Sequence, residues 1–338
     1  MRRYRLLLFL LAITIPALRG QTTWKFAVSG DSRNCGDIVM PVIAESVLHS
    51  GSEFYWHLGD FRAMYAFDED WVTPATLEEY QRAAWRNFID AQLKPFGSLP
   101  VYLTIGNHET IAPATRQAYV AQFSHWLTTA PIEQPTPGPR SYYHWTLHDV
   151  DFIALDNASK DEFDDAQMSW FHSVLKQDIS SSAVKTIVVG MHAALPGSFG
   201  HSHSMEDKDW PQGNKSGREV YESLWSAHAN SGKQVYVLAS HSHFYMEDVY
   251  RTKEWDGRVL PGWIVGTAGA VRYALPEDAP PAKSREKVYG YMLATVAAGG
   301  TISFEFRQFS LNDLIRVNRG KQPEGLIHWC YSENSQAN

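Results

Sequence analysis

The sequence predicts an α/β fold, a layered sandwich of two mixed β-sheets flanked by helices. Three observations carry that expectation. Strand-like and helical periods alternate through the first third of the chain, as parallel βαβ units require. A hairpin and a β-rich tail follow, which add antiparallel strands. No linker, internal repeat or compositional shift divides the 338 residues, and 44% of them are apolar, which suits one large packed core.

In chain order, residues 24–29 read as a short buried strand, and 37–48 as a helix with apolar side chains at Ile38, Val42 and within 44–48. A strand is expected at 54–58, a helix at 76–93, a strand at 101–105 and a helix at 115–127. The proline-rich stretch 131–139 leads to a hairpin, 142–147 and 150–155, turning at His148 and Asp149. Then come a helix near 166–176, a strand at 185–189, a long polar loop over 193–217, a helix at 218–229 and a strand at 234–239. The tail 259–309 reads as β-rich, punctuated by Gly262, Gly266, Gly269, Gly299 and Gly300.

The first residues, Met1-Arg2-Arg3-Tyr4-Arg5 followed by an apolar run to Leu18, have the layout of a secretory leader cleaved near Gly20. That run is broken by Pro16 and is short of the roughly 20 residues of a spanning helix. We therefore expect a leader at 1–20, a single domain at 21–338, no stable membrane insertion, and a secreted or periplasmic protein. The arginine pair is a weak pointer to twin-arginine export. Four of the 30 basic residues and none of the 37 acidic ones lie in the leader, so the remainder balances at 26 minus 37, or −11. An acidic surface argues against general nucleic-acid binding. Cys35 and Cys330 can pair outside the cytoplasm, and pairing and simple burial are both open at this stage.

Five segments each set an ionisable or amide side chain directly after a predicted strand: Gly30-Asp31-Ser32-Arg33, Gly59-Asp60, Gly106-Asn107-His108-Glu109, Gly190-Met191-His192 and Ser240-His241-Ser242-His243. The carboxyl ends of parallel strands face one crevice, so the five can converge. Carboxylates, an amide carbonyl and imidazoles make a donor set for one or two ions such as Fe, Zn or Mn. In extended chain His241 and His243 project to the same side. A bridging carboxylate, Asp60 for example, could hold two ions roughly 3.5 to 4 Å apart, the spacing used for in-line phosphoryl displacement. Any one of these segments alone reads better as a turn; the set is the signal.

In order and content the set resembles the calcineurin-like metallophosphoesterases, over about residues 27–244. The resemblance implies hydrolysis of a phosphomonoester or phosphodiester by attack of metal-bound hydroxide. It implies Asp31, Asp60 and His243 as ligands of a first ion, and Asp60, Asn107, His192 and His241 as ligands of a second. His108 would assist the leaving group as a proton donor or by stabilising charge, with Glu109 supporting it. Arg33 stands where most members carry a ligating histidine, and a guanidinium cannot ligate a cation. Three outcomes stay open: two ions with water or Tyr65 completing the first site, one ion, or a binding protein without activity. We favour an Arg33 that faces the substrate phosphate, for which its fork of donors is suited.

His201 and His203 lie in a segment similar to the family's substrate-contacting loop and are weaker candidates. Asp156 and Asn157 end a strand and read first as a turn, and Trp56, Phe61, Phe244 and Tyr245 read first as core. A metallo-β-lactamase-like hydrolase is disfavoured, because no His-x-His-x-Asp-His segment occurs.

Overall fold

The computed structural model describes residues 23–62, 77–158, 162–200, 203–206, 208 and 211–336. The leader at 1–20, Tyr65 and His201 lie outside the described residues. Among the described residues the first sheet has five strands: β1 (Trp24–Ser29), β2 (Tyr55–His57), β3 (Val101–Leu103), and, from the tail, β11 (Gly290–Val296) and β12 (Ile302–Gln308). The second has seven: β4 (Tyr143–Leu147), β5 (Val150–Ala154), β6 (Thr186–Gly190), β7 (Gln234–Ala239), β8 (Tyr245–Glu247), β9 (Gly262–Val265) and β10 (Ser284–Arg285). Their orders are β12-β11-β1-β2-β3 and β10-β8-β9-β7-β6-β5-β4. β1, β2 and β3 run parallel, as do β5, β6, β7 and β9, while the remaining pairings are antiparallel. The fold is thus the layered α/β sandwich of mixed sheets that the alternating periods predict.

Alternation along the strands builds two cores. In β6, Val188 faces the first sheet, whereas Ile187 and Val189 face outward; in β7, Tyr236 and Leu238 face inward, and Val235 and Val237 outward. The inward side chains join an aromatic layer between the sheets. Phe26 stacks on Phe54 with centroids 5.1 Å apart, Phe152 meets both edge-on, and Tyr102 stacks on Trp145 at 4.0 Å. Such pairs are worth about 0.5–1.5 kcal/mol each beyond their buried area. The outward side chains are covered by α5 (Asp165–Ser180) and α6 (Pro211–Ser231), through Phe171, Leu175, Val220 and Leu224. On the first sheet the cover is α1 (Gly36–Ser50), itself backed by α7 (Leu311–Asn318).

Several expected boundaries differ. α6 starts at Pro211 rather than 218, so the polar loop is shorter than expected. Glycines and polar residues hid its first two turns, but Gly217 is held there by packing: a Cβ would lie 2.6 Å from Pro196 Cδ. The helix expected at 76–93 is α2 (Leu77–Phe88) followed by a π turn, Ile89–Leu93. The helix at 115–127 is two short ones, α3 (Arg116–Gln122) and α4 (Ser124–Thr128). Two closing helices, α7 and α8 (Glu324–Ser332), were not anticipated. Cys35, at the entry to α1, and Cys330, in α8, form a disulfide.

At the amino end of β5, Asp151 is buried beside Asp178 of α5. Burial, and then the charge of Asp151, push the Asp178 carboxyl up to about 9. An unfolded aspartate titrates near about 4, so between the two values the folded chain holds an extra proton. Stability therefore falls as pH rises through that window. Asp178→Asn, which keeps the shape and a donor, is expected to stabilise the fold by about 2 kcal/mol at pH 8 and hardly at all at pH 4. Thermal melts at both values check this; an equal shift at each would contradict it.

Candidate metal centre

All five motif segments lie just beyond carboxyl ends of strands, at β1, β2, β3, β6 and β7. The turns there are tight. Asp31, Asp60 and His241 have left-handed backbones, with φ of 60°, 59° and 63°, a region that costs most side chains about 1 kcal/mol or more. The left-handed turn at His241 replaces the extended chain expected between the two imidazoles of its segment. Surrounding bonds hold these turns. Asp31 N–H donates to the Gly59 carbonyl, Ser32 N–H to the Asp60 carbonyl, and His241 N–H to Asp31 Oδ2 at 2.7 Å. Gly59 has φ of 94°, and a Cβ there would sit 2.6 Å from Gly106 N, so the second and third turns touch backbone to backbone.

Glu109 locks these two turns together. Its carboxylate accepts from the backbone N–H groups of Asp60, Phe61 and Gly106, at 2.9, 2.9 and 2.8 Å. The expected support of His108 by Glu109 thus runs through the backbone, where Glu109 joins the Asp60 turn to the turn that carries Asn107 and His108. Asn157 acts similarly on the next strand: its Oδ1 accepts from His192 N–H and Ala193 N–H, both at 3.1 Å.

The six expected ligands come together as two groups that share Asp60. One is Asp60, His192 and His241, the other Asp31, Asp60 and His243, and within each the candidate ligand atoms all lie within 4.8 Å of one another. Asn107 Oδ1 is 3.0 Å from His192 Nε2, so it belongs to the first-named group. Outer hydrogen bonds fix which ring nitrogens face inward. His192 Nδ1–H donates to the Leu58 carbonyl and His243 Nδ1–H to the Val271 carbonyl, at 2.9 and 2.6 Å, which turns both Nε2 atoms to the centre. Burial pushes the Asp60 carboxyl up, but His192, His108 and Arg33 outweigh it and hold it well below the carboxylate range. Among the described residues no hydrogen-bond donor pairs with the buried Asp31 Oδ1. Buried anionic oxygens and inward imidazole nitrogens, with an orphaned acceptor among them, fit a cation.

His108 and Arg33 adjoin the ligands. The His108 backbone N–H donates to Asp60 Oδ1 at 3.0 Å, and its ring lies against Arg33 Nη1. Burial, and then the Arg33 charge, pull the His108 imidazole down to about 3, so it is neutral at pH 7. His203 flanks His241, with centroids 5.5 Å apart, and packs on Tyr273 at 5.1 Å. Tyr273 was missed by sequence reasoning. It stacks on His243 at 4.0 Å and lies close enough to Arg33 for the guanidinium charge to act on its hydroxyl; nothing in its local sequence marks it, beyond the loop glycines Gly266 and Gly269 before it. A cavity of about 820 Å³ is lined by Arg116, Arg140, Tyr142 and Asp156, and none of the expected ligands is among its lining residues.

The fold is that of the metallophosphoesterases. Among solved structures, the chain is similar to GAP50, the anchor in the inner membrane complex of Plasmodium, with a TM-score of 0.56 and 12% identity over 85% of this chain and 84% of that one. It is similar to PhoD at 0.54 and 17%, over 85% and 72%. It is also similar to the purple acid phosphatase PPD1 of yellow lupin at 0.55 and 16%, over 94% of this chain and 57% of that one. No family model matches the sequence. No curated protein matches it either.

Proposed function

We propose that this protein is an exported, metal-dependent phosphoesterase acting on phosphomonoesters or phosphodiesters. The observation that carries the reading is the pair of donor groups sharing one buried carboxylate, Asp60, on the phosphatase fold. Fe, Zn or Mn held there would acidify a water and polarise the phosphate. The chain's own residues do the rest. Asp60, Asn107, His192 and His241 would bind one ion. Arg33 would orient and neutralise the phosphate, with His203 contributing from beside His241. His108, neutral in the free protein, would reach the leaving-group oxygen, and Glu109 would keep Asp60 and Asn107 in register. A phosphorylated small molecule is the expected substrate. Export is supported by the leader-like first 20 residues and by the disulfide, which suits an oxidising compartment. No helix among the described residues is long and apolar enough to cross a membrane.

The test is turnover of an aryl phosphate and a bis-aryl phosphate, before and after a chelator. Activity should vanish with the metal and return when Mn²⁺ or Zn²⁺ is added. Full turnover by metal-free protein would refute the reading. Bound metal with no turnover of either ester would favour a binding protein that keeps the scaffold, a reading suggested by the arginine among the ligands.

A further inference from the structure

Arg33 occupies the mouth of one donor group and not the other. Its buried guanidinium sets Nη2 3.2 Å from His243 Nε2 and Nε 3.7 Å from Asp60 Oδ2, while Nη1 lies on His108. His243 donates its Nδ1–H to the Val271 carbonyl, an atom that only accepts, so Nε2 keeps a single in-plane lone pair. That lone pair can take a guanidinium hydrogen or a metal ion, but not both.

The arginine is held in this pose. Its neighbour Asn34 accepts from Val271 N–H at 3.2 Å, and Cys35 N–H donates to the Gly269 carbonyl at 3.0 Å. The turn bearing Arg33 and the loop behind His243 are therefore one unit. The other donor group differs: His192 Nε2 lies 3.3 Å from Asp60 Oδ1 and 3.0 Å from both Asn107 Oδ1 and His241 Nδ1.

We infer that Arg33 stands in for one of the two cations. The chain then binds a single ion tightly, at Asp60, Asn107, His192 and His241, and the guanidinium supplies the second positive charge beside the phosphate. Asp31 Oδ1 is the acceptor left over, 3.3 Å from His243 Nε2. With Asp60 and His243 it would complete a second site once a ligating side chain replaced the arginine. The inference rests on the phosphoesterase reading but is read out by stoichiometry, not activity.

The experiment is elemental analysis of the full exported chain, loaded with Mn²⁺ and passed through metal-free gel filtration, alongside electron paramagnetic resonance. Wild type should keep one ion per chain, with the spectrum of isolated Mn²⁺. Arg33→His should keep two, with a spin-coupled spectrum. His243→Ala should still keep one, and His241→Ala none, so the outcome does not depend on a single variant folding. Two coupled ions in the wild type would overturn the inference and leave the phosphoesterase reading standing. One ion in folded Arg33→His, or none in His243→Ala, would also overturn it. No ion in the wild type would remove both readings at once.

Discussion

Asp60→Ala is expected to abolish metal retention and to lower turnover of aryl phosphates by about a thousandfold or more, the several kcal/mol that metal assistance contributes. The size follows from its position. Asp60 belongs to both donor groups, lies 3.3 Å from His192, and accepts the His108 backbone N–H. Its removal leaves His192 and Arg33 without the buried anion that balances them, a change that destabilises as well. Asp60→Asn keeps the volume and most of the hydrogen bonding, and therefore separates lost ligation from lost folding. Metal content, turnover and circular dichroism on both variants check this. Either variant folded and at wild-type turnover would contradict the metal assignment.

Loss of the disulfide should be the largest effect on stability. Cys35 and Cys330 are 295 residues apart, and cross-linking so long a loop restricts the unfolded chain by about 5 kcal/mol or more. Cys330→Ser should thus lower the melting temperature by about 8 °C or more. The bond pins α8 to the entry of α1, two residues after Arg33. Asn334, just beyond α8, donates to the Gly269 carbonyl and to Tyr289 Oη, and accepts from Arg272. The tail therefore braces the loop that carries Val271 and Tyr273. Melting in the presence and absence of reductant, on both proteins, tests it; identical melts throughout would show the bridge to be energetically silent.

Much of the architecture was legible because its signals are local. Residues 24–29 and 234–239 are mostly apolar, β-prone runs that become strands with those same limits, and His148-Asp149 turns the hairpin as its sequence suggests. α6 was read short because Gly213, Asn214 and Gly217 look like loop, and of these the approach to Pro196 explains Gly217. The closing helices were missed because their role is contact with distant partners. Asn318 of α7, for example, donates to the Ile38 carbonyl 280 residues away.

By itself the sequence determined which residue types follow which strands, since motif order and strand period are both properties of neighbouring residues. It thereby named six donors and the class of chemistry they suit. Only the tertiary structure decided that those donors come within reach of one another around Asp60, that Arg33 lies on the lone pair of His243, that Glu109 holds the turns together and that Tyr273 stacks on His243. The physical reason is that hydrogen bonds and lone pairs act over about 3 Å, and which side chains come that close depends on the packing of the two sheets.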